Sequence, residues 1–279
     1  MFVHKNYIKF VGGVTRQKKN KNNELYRIDK QKNYCQPTFP IRIGVKNLFT
    51  CHDICKVYIM LSMKLESDGI LVALRPFDEK NAIAHIFSRE HGMVTGMLRG
   101  AITTKTNKPL VGQMGTMTWN ARLDSALGVF HWESEKNLAA PIMMKPDALL
   151  YMNAAFDLIC TMLPEREPYP TLYDKTVGLL NALPRATDEY IKWEIELLGE
   201  LGYAMDLSHC SGCGKTTDLN YISPKTARAV CDDCAAPYLS VLYKMPVTLD
   251  TTLKFLEKIC TAQGATVPNA RRLLNIKKN

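Results

Sequence analysis

Gly69-Ile70-Leu71-Val72-Ala73-Leu74, Ala82-Ile83-Ala84-His85-Ile86-Phe87 and Met93-Val94-Thr95-Gly96-Met97-Leu98 are three short runs in which every second residue belongs to one set. A period of two places alternate side chains on opposite faces of an extended chain. Ile70, Val72 and Leu74 therefore share a face of a first strand, Ile83, His85 and Phe87 a face of a second, and Val94, Gly96 and Leu98 a face of a third. Glycines punctuate the runs, and two further strands are expected around Gly115–Ala121 and Gly128–Glu133. Five short antiparallel strands within about seventy residues fit a small closed barrel of the OB type, which removes its own sheet edges.

After Pro146 the period changes to 3.6. Met152, Phe156, Ile159 and Leu163 fall on one stripe of a helix, with Asp147 as its expected N-cap; Tyr173, Val177 and Leu180 repeat the spacing, as do Ile191, Ile195 and Leu198. The link Leu163-Pro164-Glu165-Arg166-Glu167-Pro168-Tyr169-Pro170 separates the first two of these helices, since proline ends helices and biases its predecessor away from helical geometry. The expected fold class is α+β: a five-stranded OB-type barrel over residues 63–145, then an all-α domain over 146–279 interrupted by a cysteine-bearing insert at about 206–238. Residues 1–62 differ in kind, with runs such as Lys18-Lys19-Asn20-Lys21 and no sustained periodicity; they are expected to be a basic, mostly disordered extension, and Met63 is the expected true start.

The chain has 279 residues and a formal charge of +9. Residues 1–62 hold 12 Lys and Arg against 3 acidic residues and so carry the whole of that charge, leaving the remainder balanced. A nucleic-acid surface on the body must therefore come from local clustering. Arg99 to Lys108 contains three basic residues and no acid, and the tail from Lys244 seven basic residues against two acidic. Arg75, Arg99 and Arg122 at strand ends, with Lys80, Arg89, Lys105 and Lys108 in the connections, are the candidate contacts to a phosphate backbone. Phe77, Trp119 and Trp132 are candidates to stack on bases.

The most specific motif lies in the insert. Cys210-x-x-Cys213 and Cys231-x-x-Cys234 are separated by 17 residues, the spacing of a four-thiolate zinc site. Each two-residue gap lets a tight turn aim both sulfurs at one ion, and a shell closed by four thiolates has no open position for water, so the metal is expected to be structural. His209 is read as a solvated neighbour, and Cys51 and Cys55 as incidental cysteines. Nine cysteines with no apolar signal segment point to a reducing compartment, and the expected location is the cytoplasm. No G-x-S-x-G, P-loop, H-E-x-x-H or dinucleotide fingerprint is present, and His85, His91 and His131 sit in no catalytic motif, so an enzyme is not expected. Two rival classes remain at this point: a zinc-ribbon factor contacting RNA or polymerase and, more weakly, a zinc hydrolase, which would need an open coordination site.

Asp68-Gly69-Ile70-Leu71-Val72, Arg75-Pro76-Phe77-Asp78-Glu79-Lys80, Ser88-Arg89-Glu90-His91-Gly92 and Leu98-Arg99-Gly100-Ala101 together resemble the amino-terminal barrel of the bacterial RecO family. Leu163-Pro164-Glu165-Arg166-Glu167-Pro168, Trp193-Glu194-Ile195-Glu196-Leu197-Leu198, Glu200-Leu201-Gly202-Tyr203 and Tyr221-Ile222-Ser223-Pro224-Lys225 are similar to that family's helical domain and zinc insert, so the resemblance runs from about Met63 to about Pro246. The extension before Met63 has no counterpart in the family, and not every member keeps the zinc cysteines. The resemblance implies a non-catalytic mediator of DNA repair and recombination that binds single- and double-stranded DNA and anneals complementary strands. It also implies that the helical domain receives the C-terminal tail of single-strand-binding protein and that the chain acts with RecR to help load RecA.

Overall fold

In the computed structural model, residues 63–103, 108–122, 127–183 and 187–276 are described, together with the backbone of five short strands before Met63. Among the latter, Phe2–His4 pairs antiparallel with Tyr7–Lys9, and Arg16–Lys19, Glu24–Asp29 and Tyr34–Pro40 form an antiparallel sheet. The expectation of a disordered extension otherwise falls on residues outside those described. The chain divides into two units, Met1–Met63 with Ala121–Ala126, and Lys64–Asn120 with Leu127–Asn279.

The expected barrel is present. Strands β1 (Met63–Pro76), β2 (Ala82–Ser88), β3 (Gly92–Leu98), β4 (Gln113–Ala121) and β5 (Gly128–Asn137) close in the order β5-β3-β2-β1-β4. Consecutive pairs β1–β2, β2–β3 and β4–β5 are antiparallel, and β5 closes the sheet by running parallel to β3. Alternation sends Ala82, Ala84 and Ile86, and likewise Val94, Gly96 and Leu98, into the interior. The first strand departs from strict alternation. A bulge between Leu71 and Ala73 adds one residue, so Ile70, Leu71 and Val72 are all buried and Leu74 is only half-buried.

Trp119 fills the barrel. Its indole is fully buried and donates Nε1–H to the carbonyl of Thr95 at 3.0 Å. The ring fits because its neighbours lack side chains: a Cβ at Gly96 would lie 2.9 Å from the indole, and one at Gly128 2.1 Å. Trp119 is therefore core, which corrects the expectation that it stacks on bases.

Among the described residues seven α-helices follow: α1 (Ala140–Met143), α2 (Pro146–Met162), α3 (Pro170–Ala182), α4 (Thr187–Leu198), α5 (Asp232–Ala235), α6 (Leu249–Ala262) and α7 (Asn269–Ile276). Helix α2 starts with Lys145 at the N-cap and Pro146 in its first turn, where a missing N–H costs nothing; Asp147, the expected cap, lies inside that turn. Its buried stripe includes Met152, Phe156 and Ile159, as the spacing predicts. On α4 the buried face is rotated. Tyr190, Trp193, Leu197 and Leu198 are buried, while the expected Ile191 and Ile195 flank them half-buried. A short π-helical turn, Gly199–Tyr203, ends this element where Gly202 takes φ +85°.

Barrel and helices share one hydrophobic core, in which Ile70, Val72, Phe87 and Met93 of the barrel's outer face join residues of α2, α3, α4 and α6. Phe87 and Tyr173 meet with ring centroids 5.6 Å apart. The Pro-rich link is stitched to the barrel, since Glu165 bridges Met93 and the Arg166 N–H donates to the Met93 carbonyl at 2.8 Å. The Arg166 guanidinium lies 4.6 Å from the centroid of the Trp119 ring, a cation over the aromatic that fills the barrel.

The helical part is closed by a fully buried ion pair. The Arg271 guanidinium of α7 grips the Glu194 carboxylate of α4 with two nitrogens, the Nη2–Oε2 contact being 2.9 Å. Nη2 also donates to the Leu249 carbonyl at 2.7 Å and to Thr252 at 3.0 Å, and Nη1 to Asn275 at 2.8 Å. Removing one partner of such a pair leaves a buried charge unpaired. Arg271→Met is therefore expected to destabilise the chain by about 3–5 kcal/mol in urea unfolding, while adding Glu194→Leu recovers part of that loss; a single variant as stable as the wild type would contradict this role.

Candidate nucleic-acid interface and metal centre

The barrel has two unlike ends. At one, the connection after β1 and the connection after β3 are bonded together. The Ile102 N–H donates to the Lys80 carbonyl at 3.1 Å, and the Gly100 N–H to Asn81 Oδ1 at 3.0 Å. The strand register sets Arg75 opposite Ile83 and Ala82 opposite Leu98, which brings Arg75, Lys80 and Arg99 to this same end. Lys108 joins them: it lines a cavity of about 460 Å³ together with Leu74, Pro76, Ala101 and Ile102. All four cationic side chains are exposed. Arg75 also faces the seam with α2, where burial raises the Asp157 carboxyl against the pull of Arg75, and burial followed by Arg75 lowers the His85 imidazole.

The remaining candidates lie elsewhere. Arg89 sits in the turn after β2, separated from Lys80 by the seven residues of that strand, about 20 Å. Its Nε and Nη2 each donate to an Asp174 carboxylate oxygen at 3.0 Å, a bidentate clasp between the β2–β3 turn and α3. The hydrogen bonds from Arg89 hold the Asp174 carboxyl below its usual range. Arg122 is exposed just after β4, at the opposite end of that strand from Lys108. Lys105 lies outside the described residues. Of the aromatic candidates, Phe77 is 60% exposed, whereas the Trp132 indole nitrogen is buried.

Among the described residues, four of the basic tail's seven cations have partners within the chain. Arg271 is buried against Glu194, Lys254 pairs with Asp250 at 2.7 Å, Lys258 donates to the Pro224 carbonyl and Arg272 to that of Val267. Arg271 serves the fold, while the other three are tied at the surface. Sequence reasoning counted Arg271 as surface because charge says nothing about where a partner carboxylate lies.

The insert carries the second feature. Strands β6 (Tyr221–Ile222), β7 (Ala229–Val230) and β8 (Tyr243–Lys244) form a small sheet with β6 in the centre, and it returns the second cysteine pair to the first. The sulfurs of Cys210, Cys213, Cys231 and Cys234 all lie within 4.8 Å of one another, those of Cys213 and Cys231 at 3.6 Å. An ion about 2.3 Å from each of four sulfurs in a tetrahedron needs them about 3.8 Å apart, so the cluster fits a closed thiolate shell. The turns are built to hold it. The Cys231 and Gly212 N–H groups donate to Cys210 Sγ at 3.3 and 3.4 Å, and the Gly214 N–H to the Cys210 carbonyl at 2.9 Å. A Cβ at Gly212 would sit 3.1 Å from Cys234 Sγ, so a side chain here would crowd that sulfur.

Their ionisation points the same way. The Cys231 N–H, with help from neighbouring amides, lowers Cys210 to about 6, while its neighbours Cys213 and Cys231 push Cys234 up to about 12. Without a cation the cluster cannot become four thiolates together; with one it can. His209 turns away toward Ser208 at 2.8 Å and Asp206 at 3.6 Å.

An OB-type barrel with cations gathered at one end, joined to helices bearing a four-cysteine ribbon, is the class of protein these features define. Residues 63–132 match the family model described as the N terminal part of recombination protein O, and residues 144–272 the one described as its C terminal part. The DNA repair protein RecO of Ruegeria sp. (strain TM1040) is 35% identical over 233 residues, covering 75% of this chain and 95% of that protein. That of Dinoroseobacter shibae is 34% identical over 224 residues, covering 74% and 93%, and that of Rhodospirillum rubrum 35% identical over 190 residues, covering 65% and 75%. The chain belongs to the RecO family of DNA repair proteins. Among the described residues no helix is long and apolar enough to cross a membrane.

A metal assay tests the centre directly. Elemental analysis of the purified chain is expected to find one metal equivalent, Cys213→Ser to lower it well below one, and full chelation to lower the thermal midpoint. An unchanged midpoint after complete metal loss would show that the ion does not support the fold.

Proposed function

We propose that this chain is a non-catalytic mediator of DNA repair and recombination. It binds single- and double-stranded DNA at the cationic end of its barrel, anneals complementary strands, and with RecR helps load RecA onto single strands covered by single-strand-binding protein. The observation that carries this reading is the gathering of Arg75, Lys80, Arg99 and Lys108 around bonded loops at one barrel end, while Arg89 and Arg166 are engaged in holding the link and helices. Four cations without a shared geometric target suit a backbone of phosphates better than a small ligand, because each neutralised phosphate releases counterions whatever the base. The helical domain is the proposed receptor for the acidic tail of single-strand-binding protein. The ion in the four-cysteine centre is proposed to be zinc, acting as a structural clamp, since a tetrahedral all-thiolate shell selects zinc among common divalent ions. The proposed location is the bacterial cytoplasm.

The test is equilibrium binding of a labelled single-stranded oligonucleotide over a salt series, followed by annealing in the presence of single-strand-binding protein. The wild type is expected to bind with a steep salt dependence, and the triple variant Lys80→Glu/Arg99→Glu/Lys108→Glu to weaken binding by at least tenfold and flatten the salt slope by about two, since each lost contact on a single strand removes about 0.7. Arg89→Glu is expected to change affinity far less. No detectable wild-type binding at low salt overturns the reading, and strong preference for structured RNA redirects it to a zinc-ribbon factor of transcription or translation.

A further inference from the structure

A single exposed aromatic residue on a protein surface is ordinary and by itself says nothing. Phe77 differs in how it is held. It begins the connection between β1 and β2, its ring is 60% exposed, and the loop beneath it is bonded throughout. The Asp78 carboxylate accepts from the Lys80 N–H at 2.8 Å, from the Asn81 N–H at 2.7 Å and from Asn81 Nδ2 at 2.8 Å, which folds the loop on itself. The Phe77 N–H donates to the Asn81 carbonyl at 3.0 Å, fixing the start of the turn. Asn81 and Lys80 in turn anchor the loop that carries Arg99. These bonds also occupy the Asp78 carboxylate within the loop, hold it below its usual range and leave Glu79 as the only other acid in the connection. A ring presented on a stiff support, two residues from Arg75 and three from Lys80, loses little freedom when a flat partner settles on it.

We infer that Phe77 is a stacking platform for an unpaired base of single-stranded DNA, the neighbouring cations holding the phosphates on either side. The inference rests on the proposed DNA binding at this barrel end and adds to it a basis for preferring single strands. In a duplex the base faces are already stacked and cannot reach the ring, whereas every unpaired base offers a face regardless of sequence. Of the other two aromatic candidates, Trp119 fills the barrel and cannot do this, and Trp132 is half-buried with its indole nitrogen enclosed, so Phe77 presents the most open ring of the three.

The experiment uses the full chain and its variants Phe77→Ala, Phe77→Leu and Phe77→Trp, with a labelled oligothymidylate and a duplex of matched length over a salt series. Phe77→Ala and Phe77→Leu are expected to weaken single-strand binding on the order of tenfold, the loss associated with one stacked base. The salt slope and duplex affinity are expected to stay at wild-type values, because the phosphate contacts remain. Phe77→Trp is expected to retain affinity and to show fluorescence quenching by the oligonucleotide beyond that of the wild type. Wild-type affinity in Phe77→Ala, full affinity in Phe77→Leu, or equal losses on single strand and duplex would each overturn the stacking role while leaving DNA binding intact. A wild-type chain that binds neither probe would remove the underlying reading as well, and is seen before any variant is made.

Discussion

The Glu194–Arg271 pair is the constraint on which the helical half of this molecule depends. Two full charges with no solvent exposure cost several kcal/mol each to desolvate, and the cost is met only when nearly every donor and acceptor is used. Here the guanidinium serves both carboxylate oxygens, Thr252, Asn275 and the carbonyl that begins α6, while the Tyr190 hydroxyl donates to the carboxylate from α4 itself. The partners lie 77 residues apart in sequence because the cysteine insert separates α4 from α6. An apolar contact would tolerate sliding of α7 along its neighbours; a bidentate clasp fixes register. Helix α7 in turn packs on α2, and α2 lies in the core that also takes in the barrel's outer face, so the clasp is continuous with the setting of the barrel.

That chain of support explains why the arginines divide so sharply. Arg271 locks α7, Arg89 clasps α3, and Arg166 covers the Trp119 ring; each uses the planar fork or face that lysine lacks. Arg89 ties the barrel to a helix, and Arg166 ties the Pro-rich link to the barrel. Among the described residues Arg75, Lys80, Arg99 and Lys108 show no such clasp, and they gather where the connections after β1 and β3 are bonded to each other. Net charge could not have separated these groups, since residues 63–279 are neutral in sum.

The local features were legible from sequence and the distant ones were not. Strand alternation in Ala82–Phe87 and Met93–Leu98, the helical stripe of Met152, Phe156 and Ile159, and the paired C-x-x-C turns each involve neighbours a few residues apart, so composition and period suffice to read them. The bulge at Leu71–Ala73 was hidden because a run of Ile, Leu and Val reads the same with or without an extra residue. The face of α4 was misjudged by one position because Trp193 and Tyr190 outweigh Ile191 and Ile195 in the volume they can bury. Trp119 looked like a surface aromatic until its glycine neighbours, Gly96 and Gly128, were seen to make room for it from other strands. Arg271 looked like part of a basic tail, and nothing near it in sequence announces Glu194.

The cysteine centre bears on function by what it cannot do. Its own apolar core consists of Cys210, Val230, Cys231 and Ala235 with a few half-buried neighbours, far too little to hold three two-residue strands in place without a further tie. Two of the four buried residues belong to the cysteine cluster, so an ion held there and this core would be one structure. Four thiolates filling a tetrahedron around an ion would leave no open position for substrate or water. The insert meets the helices through the packing of Tyr243 on Phe255 and through the Lys258 ammonium, which donates to the Pro224 carbonyl. Recognition has to come from surfaces that remain chemically unsatisfied, and among those described the cationic end of the barrel is the one where charge, an exposed aromatic and stiff loops coincide.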